Sequence, residues 1–120
     1  MSDLLKIDRM TSRPQFLAAA KGVSEARGAV VVQRLDRADG DLTVRVGFTA
    51  TRKIGGAVVR NRVRRRLREA LRVMAPSFQP GWDVLIIARP AIVEADHETL
   101  VGALRRLLHR GGVLGGPAAT

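Results

Sequence analysis

Seven arginines lie within the thirteen residues between positions 60 and 72. A guanidinium group is planar and permanently charged, and it pairs with a phosphate through two parallel hydrogen bonds. Glu69 is the only acidic residue in that interval, so most of this positive charge has no carboxylate beside it in the sequence. The residue type and the spacing therefore indicate binding to a polyanion through its phosphates.

The same interval has the periodicity of an amphipathic helix, which we predict over residues 57–74. On a wheel of about 3.6 residues per turn, one narrow face holds the aliphatic side chains of Val59, Val63, Leu67, Ala70, Leu71 and Met74. The opposite face holds Arg62, Arg65, Arg68 and Arg72, with Arg64 and Arg66 on its flanks and Arg60 at the N-terminal end. Like charges four residues apart repel by about 0.2–0.5 kcal/mol per pair. A phosphate backbone bound to this face would offset that repulsion.

Two other interpretations of the basic face stay open. A solvated surface helix is one, although such a face would normally mix Glu with Arg. A helix lying on an anionic membrane is the other, but the apolar face lacks the Trp or Phe expected at that interface. Asn61 also has two interpretations, because it could order water or metal near the bound polyanion or make a hydrogen bond at the helix start.

Composition limits the class of protein. The chain has 120 residues, 21 Lys and Arg against 11 Asp and Glu, a net charge of +10, and no cysteine. This length suits one domain, and the absence of cysteine excludes disulfides and thiolate metal sites. No apolar run is long enough to span a bilayer, and the N-terminus lacks the apolar stretch of a signal peptide. We expect a cytoplasmic protein that binds a polyanion such as a nucleic acid and has no membrane partner.

The elements that must position the basic helix follow from the rest of the pattern. We predict a first helix over 12–22, strands over 28–35, 42–51 and 83–89, and a last helix over 96–109. Asp39-Gly40 is a typical hairpin signal, so the first two strands should be paired. We expect a flexible N-terminus over 1–11, one domain over 12–110 and a disordered tail over 111–120. The order implies an α/β sandwich with helices packed on a sheet.

Candidates for base stacking or catalysis are few. Phe16 and Phe48 could each line a groove for single-stranded RNA, or could equally be core residues. His97 and His109 are twelve positions apart and do not form a catalytic constellation with other residues. We therefore expect no catalytic residue and no metal ligand in this chain.

One continuous stretch resembles the signature of the bacterial ribonuclease P protein subunit. It is a Lys-x-Gly-x-Ala-Val-x-Arg-Asn element followed by a basic helix, formed here by Lys53, Gly55, Ala57, Val58, Arg60 and Asn61. The flanking segments Arg9-Met10, Val46-Gly47-Phe48 and Pro80-Gly81-Trp82-Asp83 also agree, so the resemblance covers about residues 9–110.

The resemblance implies an α-β-β-β-α-β-α fold with a left-handed βαβ crossover and a sheet of about four strands. It implies that the catalytic RNA contacts Arg52, Lys53, Arg60, Asn61, Arg62, Arg65, Arg66 and Arg68. We add Arg64 and Arg72 to the predicted RNA-binding residues because they lie on the same arginine-rich helix. The resemblance also implies a cleft for the 5′ leader of precursor tRNA, with Phe16, Arg9 and Phe48 as candidates. This chain departs from the family there, because Ala20 and the Val31-Val32-Gln33 stretch stand where aromatic residues are often found.

The function implied by the resemblance is assistance to an RNA enzyme. The chain would be the protein subunit of a ribonucleoprotein endoribonuclease that removes the 5′ leader from precursor tRNA, and it would act as a monomer in the particle. The RNA subunit would do the chemistry with magnesium, and the protein itself would bind no cofactor. The alternatives are a ribosome-associated or generic RNA-binding module and a stand-alone nuclease.

Overall fold

The computed structural model of the chain describes residues 7–9, 21–38 and 40–115. Its strands are β1 (Ile7–Arg9), β2 (Val23–Arg27), β3 (Val30–Asp36), β4 (Val44–Thr49) and β5 (Trp82–Ala88). Its helices are α1 (Ala57–Met74) and α2 (His97–Arg110). Both helices agree with the sequence-based boundaries to within a residue. The predicted first helix, with Phe16, falls almost wholly outside the described residues and stays a prediction.

The five strands form one mixed sheet in the order β1-β4-β5-β3-β2. β4 pairs in parallel with β1 and β5, whereas β3 pairs antiparallel with β5 and β2. The predicted pairing of β3 with β4 is therefore wrong, because β5 lies between them. The reason is that β5 is apolar on both faces, with Val84, Leu85 and Ile86 all buried, and such a strand belongs at the centre of a sheet.

The element order supports the α+β fold implied by the sequence. From the second element on, the chain runs β2-β3-β4-α1-β5-α2, and α1 joins the adjacent parallel strands β4 and β5. The four longer strands correspond to the expected sheet, and β1 adds a short fifth strand at its edge. The left hand of the crossover stays a prediction.

Two segments predicted to be unstructured belong to the fold instead. Residues 7–9 of the supposed flexible N-terminus pair with β4. Val113 and Leu114 of the supposed tail are buried, and the backbone N–H of Gln79 donates to the Val113 carbonyl at 2.7 Å. Gly112 has φ +83°, a conformation in which glycine often ends a helix. This turn directs the two apolar side chains back against the core, so Val113 and Leu114 pack as part of the domain.

β2 was not predicted from its own pattern, because it is an edge strand with little burial on either face. The core lies between the sheet and the two helices. β3, β4 and β5 contribute Val30, Val32, Val44, Val46, Val84 and Ile86, and the helices contribute Val63, Leu67, Leu100, Leu104 and Leu108. Because side chains alternate along a strand, the opposite face of the sheet presents Val31, Gln33, Arg45, Thr49, Asp83, Leu85 and Ile87.

Candidate RNA interface

The rigid base of the candidate site is the buried face of α1. Val63, Leu67, Ala70, Leu71 and Met74 are buried there, and Val59 packs against the same core. These are the residues that the wheel placed on one narrow face. Their contact with the sheet fixes how the helix is rotated, so the opposite face must point toward solvent.

That outward face carries the arginine ridge, which we define as Arg62, Arg65, Arg68 and Arg72. All four are exposed. Within the described part of the chain, the guanidinium groups of Arg62, Arg65 and Arg68 make no hydrogen bond or ion pair. Arg72 lies 3.7 Å from Glu69, with both side chains more than half exposed, and such a pair contributes little. The ridge therefore keeps nearly all of its positive charge available to a partner.

The loop before α1 extends this basic surface. Arg52 and Lys53 are exposed, whereas Ile54 between them and the helix is buried and anchors the loop. The helix begins after Gly56, and its first turn has neither a side-chain cap nor an acidic residue. The free N–H groups and the helix dipole favour an anion at such an end. The loop and the helix start thus add to the charge of the ridge.

Three other predicted RNA-binding residues, Arg64, Arg66 and Asn61, make side-chain hydrogen bonds within the protein. The Arg66 guanidinium donates to the carbonyl of Ile92 at 2.7 Å and to that of Ala95, so it ties α1 to the connection between β5 and α2. This geometry favours a structural role for Arg66. Arg64 donates to the Asn61 side chain at 3.0 Å, an interaction that positions both residues. Arg60 is half-buried, and its Nε has no hydrogen-bond partner.

A second group of arginines, which the sequence did not single out, surrounds Asp83 on the opposite face of the sheet. Asp83 is buried, and it accepts from Arg37 at 2.7 Å and from Arg45 at 2.8 and 3.1 Å. Arg37 also donates to the carbonyls of Asp41, Thr43 and Trp82. This cluster fastens the β3–β4 connection to the start of β5. The sequence signal for this cluster was Asp83 in the Pro80-Gly81-Trp82-Asp83 segment. Its partners Arg37 and Arg45 could not be identified from the sequence, because they lie far from Asp83 along the chain.

The residues predicted for a leader cleft are only partly described. Phe16 lies outside the described residues, and of Arg9 only the backbone pairing in β1 is known. Phe48 is half-buried and packs against the core, on the sheet face shared with Val44 and Val46. This position favours its interpretation as a core residue. Among the described strands, the opposite face has no aromatic side chain, and it includes Gln33, whose buried Oε1 lacks a hydrogen-bond partner.

His97 is the first residue of α2 and follows the residue that caps the helix. Asp96 is the N-cap, and its carboxylate accepts from the Thr99 backbone N–H at 2.7 Å. Hydrogen bonds from Thr99 hold the pKa of Asp96 below its ordinary value, with smaller contributions from Arg66 and His97. Hydrogen bonds from Thr43 likewise lower the pKa of Asp41 in the β3–β4 connection. Neither carboxylate has the raised pKa of a general acid.

No group of three or more histidine or acidic residues within the described ranges could hold a metal ion. Neither helix of the described chain is long and apolar enough to cross a membrane.

Comparison with known proteins identifies the family of the chain. The sequence model of the family named Ribonuclease P matches residues 4–112. The ribonuclease P protein component of Caulobacter vibrioides is 57% identical over 86 residues, which cover 71% of this chain and 58% of that protein. The chain thus spans less than two thirds of the length of that relative. The corresponding protein of Gluconacetobacter diazotrophicus is 44% identical over 110 residues, covering 89% of this chain and 93% of that one.

A solved structure gives the same result for the fold. It is that of a Staphylococcus aureus RNase P protein, in a mutant described as defective in mRNA degradation activity. It is 27% identical, superposes with a TM-score of 0.78, and covers 88% of this chain and 89% of that chain. The family match over most of the sequence, together with the shared fold, shows that this chain belongs to the ribonuclease P protein family.

Proposed function

We propose that the chain is the protein subunit of a ribonucleoprotein endoribonuclease that removes the 5′ leader from precursor tRNA. The observation that supports this most directly is the arginine ridge, whose charges are held rigidly on α1 and are almost free of carboxylates. Its partner is the catalytic RNA subunit, which performs the hydrolysis in the cytoplasm. Family membership supports this assignment over a generic RNA-binding module.

The physical role of the protein is electrostatic. The RNA subunit and precursor tRNA are both polyanions, so their approach is opposed by repulsion between phosphates. Nine basic residues and one acid between positions 52 and 72 place a concentrated positive charge between the two RNAs. Phosphate contacts of this kind fix position and orientation without reading sequence. We also expect the protein to favour binding of magnesium by the RNA, and the described residues include no group of three or more histidine or acidic side chains that could hold the metal themselves.

The leader itself would lie against the sheet face opposite to α1. The described strands offer Val31, Gln33, Thr49 and Ile87 on that face, and none of these can stack on a base. Base stacking there would depend on Phe16, which lies outside the described residues, and Arg9 stays a candidate for leader binding. We therefore expect Phe16→Ala to weaken binding of leader-bearing precursor tRNA while binding of mature tRNA is unchanged. Equal losses for both substrates would assign Phe16 to the core.

Reconstitution tests the whole proposal. Purified protein is added to a transcribed bacterial ribonuclease P RNA and a precursor tRNA at low magnesium, where the RNA alone is slow. We expect the protein to raise the cleavage rate and to shift the magnesium dependence to lower concentration. No acceleration under these conditions would favour a generic RNA-binding module.

A second arm tests the protein without any RNA subunit. The description of the S. aureus mutant attributes mRNA degradation to that protein, so this chain is incubated alone with precursor tRNA and with an unstructured messenger RNA. We expect no cleavage of either, since the described residues contain no catalytic constellation. Magnesium-dependent cleavage by the protein alone, with no cleavage in controls that lack the protein, would favour a stand-alone nuclease instead.

A further inference from the structure

A groove runs between the C-terminal half of α1 and the outer flank of α2. It has a volume of about 380 Å³ and is lined by Val73, His97, Glu98, Val101, Gly102, Arg105 and Arg106. This volume lies within the range of about 300–1,000 Å³ that is typical of small-ligand sites. Val73 is 60% exposed, although it lies on a helix whose other aliphatic residues mostly face the core. The groove thus has an apolar floor that is open to solvent.

The walls of the groove are more basic than acidic. Arg105 and Arg106 make no hydrogen bond or ion pair with the described residues, and Glu98 is the only acid in the lining. The groove also adjoins the ridge, because Val73 follows Arg72 in α1. An anionic strand that lies along the ridge can pass from Arg72 to Arg105 and Arg106, although Glu69, one helical turn before Val73, lies beside that path. An apolar floor between guanidinium groups suits the sugar or base of a nucleotide whose phosphate is held at the wall.

We propose that this groove is a second RNA contact, in which Arg105 and Arg106 bind phosphate and Val73, Val101 and Gly102 contact one nucleotide. The occupant is a strand of the catalytic RNA subunit that continues from the arginine ridge. This inference rests on the proposed function, and it extends the RNA-binding surface from α1 to α2. The RNA-binding residues predicted from the sequence include none on α2.

Gly102 gives a direct test of occupancy. A Cβ at this position meets no atom within 4 Å, and glycine is a poor helix former, so Gly102→Glu and Gly102→Gln should both fold and melt at a slightly higher temperature. Glu at this position would introduce negative charge beside Arg105 and Arg106, whereas Gln has the same size without the charge. We expect Gly102→Glu to weaken binding to a transcribed ribonuclease P RNA by about five- to tenfold at 0.15 M salt, and Gly102→Gln to weaken it less. Wild-type affinity for Gly102→Glu would overturn the proposal.

The arginines are tested against a control on the same helix. The double variant Arg105→Ala/Arg106→Ala should lower RNA affinity and reduce the salt dependence of binding by about 0.7–0.9 per lost phosphate contact. Arg110 lies on the flank of α2 that faces β2, where it approaches Glu25 at 3.8 Å. Arg110→Ala removes the same charge from the same helix, and we expect less than a twofold change. Equal effects of Arg110→Ala and of a single Arg105→Ala substitution would overturn the proposal, because they would show a nonspecific effect of net charge.

The identity of the occupant is tested by cross-linking. The chain contains no cysteine, so Gly102→Cys provides a single attachment point for a photo-cross-linker in the reconstituted particle. We expect cross-links to the RNA subunit, and none from Arg110→Cys at the same nucleotides. Cross-links from position 102 to precursor tRNA alone, or to a second copy of the protein, would overturn the proposal.

Failure of this inference is distinguishable from failure of the proposed function. The variant Arg62→Ala/Arg65→Ala is measured in parallel with the groove variants. If it loses affinity while the groove variants retain it, the ridge still binds RNA and only the groove contact is wrong. If neither set loses affinity, the proposed function fails as well.

Discussion

The ridge on α1 and the cluster around Asp83 use the same side chain in opposite ways. Arg62, Arg65 and Arg68 project from a rigid helix into solvent with no partner within the described residues. Arg37 and Arg45 converge on a carboxylate that is 1% exposed. A buried charge must be paired, whereas an exposed charge without a partner in the protein stays available to attract an anion. The comparison shows that arginine content alone does not predict an RNA surface, because the partner of each guanidinium decides its role.

The largest effect should come from breaking the buried cluster. Asp83→Ala leaves two guanidinium groups without their carboxylate and should lower the free energy of unfolding by about 3–5 kcal/mol. Urea denaturation followed by circular dichroism measures this change. As a control, Glu69→Ala removes an exposed acid near Arg72 and should change the free energy by about 0.5 kcal/mol or less. Equal costs for the two variants would contradict the distinction between the two regions.

The ridge should show the opposite pattern, in which binding changes and stability does not. The triple variant Arg62→Ala/Arg65→Ala/Arg68→Ala should weaken binding to ribonuclease P RNA on the order of 10- to 100-fold at 0.15 M salt. The slope of log affinity against log salt should become shallower by about 2–3. The melting temperature should be unchanged or slightly higher, since repulsion between like charges on the helix is relieved. An unchanged slope would show that the ridge does not contact phosphates.

Arg65 and Arg66 allow the same comparison to be made between two neighbouring residues of one helix. Arg66→Ala removes the hydrogen bonds to the Ile92 and Ala95 carbonyls and should cost about 1–3 kcal/mol of folding free energy, with little effect on the salt slope. Arg65→Ala should flatten the salt slope by about 0.7–0.9 and leave stability unchanged. Both variants lose one positive charge, so a difference between them reports position alone. If the two variants exchanged these effects, the assigned rotation of α1 would be wrong.

The smallest effect concerns an exposed carboxylate that stabilises structure. The folded pKa of Asp96 lies below its ordinary value of 3.8, because Thr99 hydrogen-bonds to the ionised form. The contribution of Asp96 is therefore present above the unfolded pKa and is lost as the pH falls through the folded pKa. Asp96→Ala should lower the melting temperature at pH 7, and the difference from wild type should shrink at pH values below about 3.8. A difference independent of pH would exclude a role for the charge.

The local features of this chain could be predicted from its sequence. The boundaries of α1, its buried face and the outward direction of the ridge all follow from a period of about 3.6 residues, because such a pattern reports the contacts of neighbouring turns. Asp96 as the start of α2 follows from capping preferences of the same range. The strands β3, β4 and β5 were located for a similar reason, since alternation and apolar runs are properties of short segments.

The contacts between segments far apart in the chain could not be predicted from local sequence patterns. The Asp39-Gly40 signal favoured pairing of β3 with β4, but the burial of β5 on both faces places that strand between them. The partners of Asp83, the carbonyls that hold Arg66 and the burial of Val113 and Leu114 likewise join residues far apart in the chain. Sequence patterns reflect interactions between residues that are close in the chain. The contacts named above depend instead on which segments pack best in a single core, and on the free-energy cost of leaving a buried charge unpaired.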